Sequence, residues 1–234
     1  MQDMTELYLA AALFMGLHLV ISGTVLRRII TDMIGEKVYM ALFSLASIGA
    51  IVWLAVSYNE AVVSADNTVY WQAPVWLAHS GALILLVAFL IGVPGLLTPN
   101  PTSVGGEAAA EKEDAVQGMV RITRHPFLWS VIIWAAFHLG VNGDRASQAL
   151  FGTFLTVALV GTFSIDRKRA KKMGESWRKF AGQTSNLPFV AILSGRTKLA
   201  LGEIGWWRPL AAVVLWAAVL MTHEMVFGVS PFLR

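Results

Sequence analysis

Val38–Tyr58 reads VYMALFSLASIGAIVWLAVSY, a stretch without a single charged residue. An α-helix rises about 1.5 Å per residue, so this stretch reaches roughly 30 Å, the thickness of a bilayer's hydrocarbon core. Five further apolar runs flank it: Leu7–Leu26, Val75–Leu97, Phe127–Val141, Ala149–Ile165 and Leu210–Val229. The run from Phe127 is short and must borrow "RITRHP" or its far loop to reach both surfaces. None of the runs alternates with a period of two, which a closed barrel would require. The expected fold class is therefore all-α, a polytopic membrane helix bundle with about six transmembrane helices.

Composition agrees. Of 234 residues, 56% are hydrophobic and 14% charged, against about 25% charged in an ordinary soluble domain, and the mean hydropathy is +0.62. Lysine and arginine near span ends favour the cytoplasmic side. With both termini outside, the inner loops hold all the basic residues except Arg145 and Arg234, out of a total of 18. The net charge of +3 then describes a basic inner rim facing anionic headgroups. The lipid bilayer is the expected partner and nucleic acid is not. The expected location is a bacterial inner membrane.

The opening "MQDMTELY" has no basic n-region, so the first helix is expected to stay as a span. Cysteine is absent, which excludes disulfides, thiolate metal sites and iron–sulfur clusters. The whole chain, 1–234, reads as one membrane domain. Residues 98–117, rich in Pro, Gly and acidic side chains, predict a mobile inner linker. Residues 166–198 predict a basic interfacial segment, in which Met173, Trp177 and Phe180 share one helical face.

The histidines carry the chemical signal. His18, His79, His138 and His223 fall inside the apolar runs, where polar groups are costly and point to function. Zinc would call for three or four ligands, often at i and i+4, and no such spacing occurs. Haem iron needs two axial ligands, one from each of two helices. His125 and His138 stand on one run about 20 Å apart, so they cannot share a metal. The partner of His138 is His18, His79 or His223, and depth favours the last two. At "RITRHP", Pro126 suits a first helical turn. Arg121, Arg124 and His125 then form a cationic mouth suited to a carboxylate or phosphate.

Three sequence blocks carry a resemblance: "MVRITRHPFLWSVIIWAAFHLGVNGD", "DRKRAKKMGESWRKFAGQTSNLPFVAILSGR" and "GLHLVISGTVLRRIITDMIGEKVYMALFS". Together they resemble the NnrU family of bacterial membrane proteins. This resemblance implies a setting in nitrite and nitric oxide respiration. The chain is also similar to the plant and cyanobacterial 15-cis-zeta-carotene isomerases, membrane proteins thought to use haem b. In that likeness His18 and His138 are implied as axial ligands and His125 matches the histidine of their "RHP". Ala135 stands where those enzymes carry a cysteine.

A wider resemblance joins Arg124, His125, Pro126, Asp166, Gly174, Trp177, Phe180 and Pro188 to the isoprenylcysteine carboxyl methyltransferases. Those enzymes bind S-adenosylmethionine at an Arg-His-Pro mouth. Phe127 and the turn "SIDRKR" depart from their pattern.

The expected metal ligands are thus His18 and His138, with His79 as an alternative. The expected cofactor-binding residues are Arg121, Arg124, His125 and Trp177. The expected function is haem b binding, with redox or isomerase-like chemistry on an apolar substrate or a small gas such as nitric oxide. The alternatives are a methyltransferase using S-adenosylmethionine, or a non-catalytic remnant of one, and a scaffold for assembling respiratory enzymes.

Overall fold

The computed structural model describes residues 2–112 and 114–231. Arg234 and the C-terminal end therefore lie outside the described residues. In chain order the helices are α1 (Gln2–Met15, prolonged by a π-helical turn, Gly16–Ile21), α2 (Val25–Ile34), α3 (Glu36–Val62), α4 (Gly81–Leu96), α5 (Pro126–Val141), α6 (Arg145–Met173), α7 (Glu175–Gln183) and α8 (Trp207–Phe227). Short helical turns cover Val75–His79, Glu107–Glu111, Met119–Ile122, Val190–Leu193 and Leu201–Ile204. Among the described residues the β-structure is one isolated bridge, Val69 to Asp144.

Each apolar run yields an apolar helix. Four are long and apolar enough to cross a membrane: Asp3–Ile21, α3, α6 and α8. The other two, α4 and α5, have 16 residues each, or about 24 Å. The all-α membrane class stands, with ends that shift. The first run stops at Ile21 instead of Leu26, because Ser22–Thr24 break the chain before α2. The third run is divided by a turn at Ser80. Pro126 opens α5, where its missing N–H costs no helical bond.

The basic segment is not one helix. Asp166–Met173 closes α6, and Gly174 at φ +55° turns the chain into α7, a conformation that Cβ-bearing residues avoid. Trp177 and Phe180, 5% and 2% exposed, are buried against Val120 with Met173 beside them. Their apolar side is therefore used inside the protein.

The chain divides into two units, each described by itself. One runs to Leu77 and includes Ala135–Gly161; the other comprises Ala78–Trp134 and Thr162 onward. In the first, α1 packs along α3. Met4, Leu7, Ala10 and Ala11 meet Leu54, Ala61 and Ala146, and the alanines let backbones approach closely. Asp144 and Asn67 cap α6. Ser147 N donates to Asp144 Oδ1 at 2.9 Å and Ala146 N to Asn67 Oδ1 at 2.9 Å, satisfying donors that a first turn leaves orphaned.

In the second unit α4 and α5 touch backbone to side chain. A Cβ on Gly95 would stand 2.5 Å from Pro126 Cβ and Cγ, and one on Gly92 would stand 2.4 Å from Ser130 Oγ. Along α8, Trp216 Nε1 donates to Ala82 O at 3.0 Å. Ile91, Met119, Ile122 and Ile204 form the core. The start of the 98–117 segment is tied down: Asn100 Nδ2 and Thr102 Oγ1 donate to Arg124 O at 3.1 and 2.6 Å.

Candidate functional site

The "RITRHP" entry is held in place by its backbone. Arg124 N donates to Ser185 O at 2.9 Å, Phe189 N to Ile122 O at 2.7 Å, and Thr123 Oγ1 to Asn186 O at 2.5 Å. These bonds fix the chain before Pro126, which itself favours extended backbone at His125. Arg124 and His125 then meet Asp166, delivered by α6. Arg124 Nε lies 2.9 and 3.0 Å from the two Asp166 oxygens, and Nη2 adds a third bond at 2.5 Å. His125 Nε2 is 2.7 Å from Asp166 Oδ1. The Arg124 guanidinium lies over the Trp177 ring, 5.8 Å from its centroid.

The His125 side chain is 1% exposed. Burial pushes its imidazole below the ordinary histidine value, against the opposing pull of Asp166. A neutral ring that donates from Nε2 keeps its lone pair on Nδ1, and that buried atom has no hydrogen-bond partner.

Arg121 is engaged in the same manner. Its Nε and Nη2 donate to Glu203 at 2.7 and 2.8 Å, and Nη1 donates to Thr197 Oγ1 at 2.8 Å. Gly118 N also donates to Glu203, at 2.8 Å. The Arg121 guanidinium holds the Glu203 carboxyl below the usual carboxylate range. The cationic mouth read from the sequence is thus met by two internal carboxylates. Glu203 was missed by the sequence reading, and its only signal was an acidic residue alone in "LGEIGWW".

His18 sits in the π-helical turn that prolongs α1; such turns are rare and recur at functional sites. Its Nδ1 lies 2.9 Å from Phe14 O. A carbonyl can only accept, so Nδ1 carries the proton and Nε2 the lone pair. The ring lies against Phe14 at 4.2 Å and Phe43 at 5.4 Å, and Phe14 touches Phe154 at 5.2 Å. His138, in the last turn of α5, stacks on Phe151 at 4.7 Å and 24° and meets Phe137 edge-on at 5.5 Å. Phe151 and Phe154 are neighbours one turn apart on α6.

His18 and His138 therefore belong to one unit, His138 on Phe151 and His18 linked through Phe14 to Phe154 of the same helix. His79 ends the turn Val75–His79, is exposed, and belongs to the other unit. His223 Nδ1 donates to Val229 O at 2.8 Å, with Phe227 at 4.8 Å, a closing contact for α8. Among the described residues no group of three His, Cys, Asp or Glu side chains converges to hold a metal ion.

Apolar helices of spanning length, with ion pairs and imidazoles gathered toward their ends, define an all-α, multi-pass integral membrane protein. The chain belongs to the NnrU protein family, whose model matches residues 6–231. It is similar to the chloroplastic 15-cis-zeta-carotene isomerase of Arabidopsis thaliana, 29% identical over 222 residues covering 88% of this chain and 56% of that protein. It is similar also to that of Zea mays, 28% identical over 169 residues covering 71% of this chain and 45% of that protein. The chain spans about half the length of these curated relatives. No solved structure matches it.

Proposed function

We propose that this chain binds haem b between His18 and His138 and performs an isomerase-like redox reaction on an apolar substrate within the bilayer. The observation that carries this reading is the His18 geometry. Its Nδ1–H is committed to Phe14 O, so Nε2 is available as an oriented ligand, the arrangement metal-binding histidines adopt almost always. The donor set fits: two imidazoles from different helices among phenylalanines, without a carboxylate. When bound, the group would supply a one-electron iron centre. Phe14 O sets the His18 tautomer, Phe151 orients the His138 ring, and Phe43 and Phe154 keep the surroundings apolar.

The relatives named for 15-cis-zeta-carotene isomerisation favour a long polyene as substrate, with nitric oxide the alternative that the denitrification setting would supply. The bias of the basic residues supports an inner-face position for the Arg124 end in a bacterial membrane. An S-adenosylmethionine site at Arg121, Arg124, His125 and Trp177 draws less support, because Asp166 and Glu203 already occupy the donors it would use.

The test is an absorption spectrum of protein purified from haem-replete cells, oxidised and then reduced. A Soret band is expected, lost or shifted in His18→Ala and in His138→Ala and unchanged in His79→Ala. A colourless wild-type protein would overturn the proposal. A spectrum altered by His79→Ala and not by His18→Ala would reassign the ligand pair.

A further inference from the structure

Between α1 and α3 the chain forms a helix that the count of apolar runs does not reveal. At Gly23 a Cβ would stand 2.0 Å from Leu19 O, so the chain can turn there only without a side chain. Thr24 then caps α2, its hydroxyl accepting from Leu26 N at 3.2 Å and donating to Val20 O at 2.7 Å. Gly35 at φ +84° ends the helix. At 100° per residue, Val25, Leu26, Ile29, Ile30, Met33 and Ile34 fall on one half of α2, and Arg27, Arg28, Thr31 and Asp32 on the other.

The polar half of α2 is divided: Arg28 and Asp32 are exposed, and Arg27 is half-buried. Arg27, on the polar half, turns toward the protein, paired with Glu36 and set over the Tyr39 ring at 5.6 Å. The apolar half is turned outward: no residue of α2 is buried, and Met33 is 78% exposed. Ten residues make about 15 Å, too short to cross a bilayer. Both ends of α2 are joined within a few residues to helices of spanning length, which fixes it at the level where those helices leave the hydrocarbon. Arg28 and Lys37, both exposed, suit anionic headgroups.

We propose that α2 is an interfacial anchor, its apolar face seated in the headgroup–acyl boundary of the bilayer. The occupant of that face is lipid, and the claim is independent of haem. The chain has no cysteine, so single-cysteine variants of the full protein can be labelled cleanly. Met33→Cys and Asp32→Cys, each carrying an environment-sensitive nitrobenzoxadiazole, are reconstituted in phosphatidylcholine–phosphatidylglycerol vesicles doped with headgroup-nitroxide lipid. The Met33 label is expected to emit at shorter wavelength and to be quenched roughly threefold more than the Asp32 label, since an interfacial face enters about 5–10 Å below the headgroups. Equal, water-like emission from both would overturn the proposal. So would a Met33 label that is blue-shifted yet unquenched by lipid and cross-links between copies, since that face would then belong to a protein interface.

Discussion

Replacing Asp166 with alanine should unfold the second unit more easily than any other single change at the "RHP" entry. The carboxylate accepts three hydrogen bonds from Arg124 and one from His125. The side chains of Arg124 and Asp166 are 14% and 18% exposed, so water screens them little. Truncating one partner of such a pair leaves a guanidinium stranded in the interior, at a cost of about 3–5 kcal/mol. For a chain of this size each kcal/mol moves the melting midpoint by about 2–4 °C, so the midpoint should fall by roughly 6–20 °C.

Asp166→Asn, which keeps one acceptor oxygen and the shape, should lose about half as much. The assay is thermal unfolding in lipid nanodiscs followed by tryptophan fluorescence. Arg124→Ala together with Asp166→Ala should recover part of the loss, because no charge is then left orphaned. An Asp166→Ala protein melting within about 2 °C of the parent, less than even 1 kcal/mol would produce, would refute the view that this pair is shielded from water.

Two further outcomes follow from the same geometry. Gly95→Ala forces a methyl to within 2.5 Å of the Pro126 ring, a rigid neighbour, and should cost about 1–3 kcal/mol, read as a lowered midpoint in the same melt. His125 has a folded pKa below its ordinary value of 6.5, so its contribution is complete above pH 6.5 and is lost as pH falls through the folded value. Melts on either side of pH 6.5 should show this loss, and His125→Gln should remove that component of the pH dependence.

The helices that cross the bilayer were legible because hydrophobicity alone writes them: α3 needs only a long uncharged stretch. What the sequence hid depended on tertiary placement or on polarity mixed into an apolar pattern. In α2 the interleaved Arg27, Arg28 and Asp32 interrupt any count of continuous apolar residues, and the run from Leu7 absorbed its first turn. Asp166 was visible in the motif, but its bonds to Arg124 and His125 span 42 and 41 residues, a separation no local spacing encodes. Pro and Gly in 98–117 announced a mobile linker and could not announce that Asn100 and Thr102 would grip the Arg124 carbonyl. His18 stood out as an imidazole in an apolar run. Its π-helical turn did not, because one extra residue barely disturbs the periodicity of so apolar a stretch.

That turn constrains the length of the chain itself. Ser22 N reaches back five residues to Leu17 O, so the segment holds one residue more than an α-helical turn would. Excising a single residue between Gly16 and Ile21 would let the ladder close as an ordinary α-helix, with Leu7 and Ala10 still in phase to meet α3, while the widened turn that carries His18 would vanish. A one-residue deletion there should therefore spare the seam between α1 and α3 and strike the imidazole's setting alone, so the extra residue is the mark to seek in any chain that uses His18 in the same way.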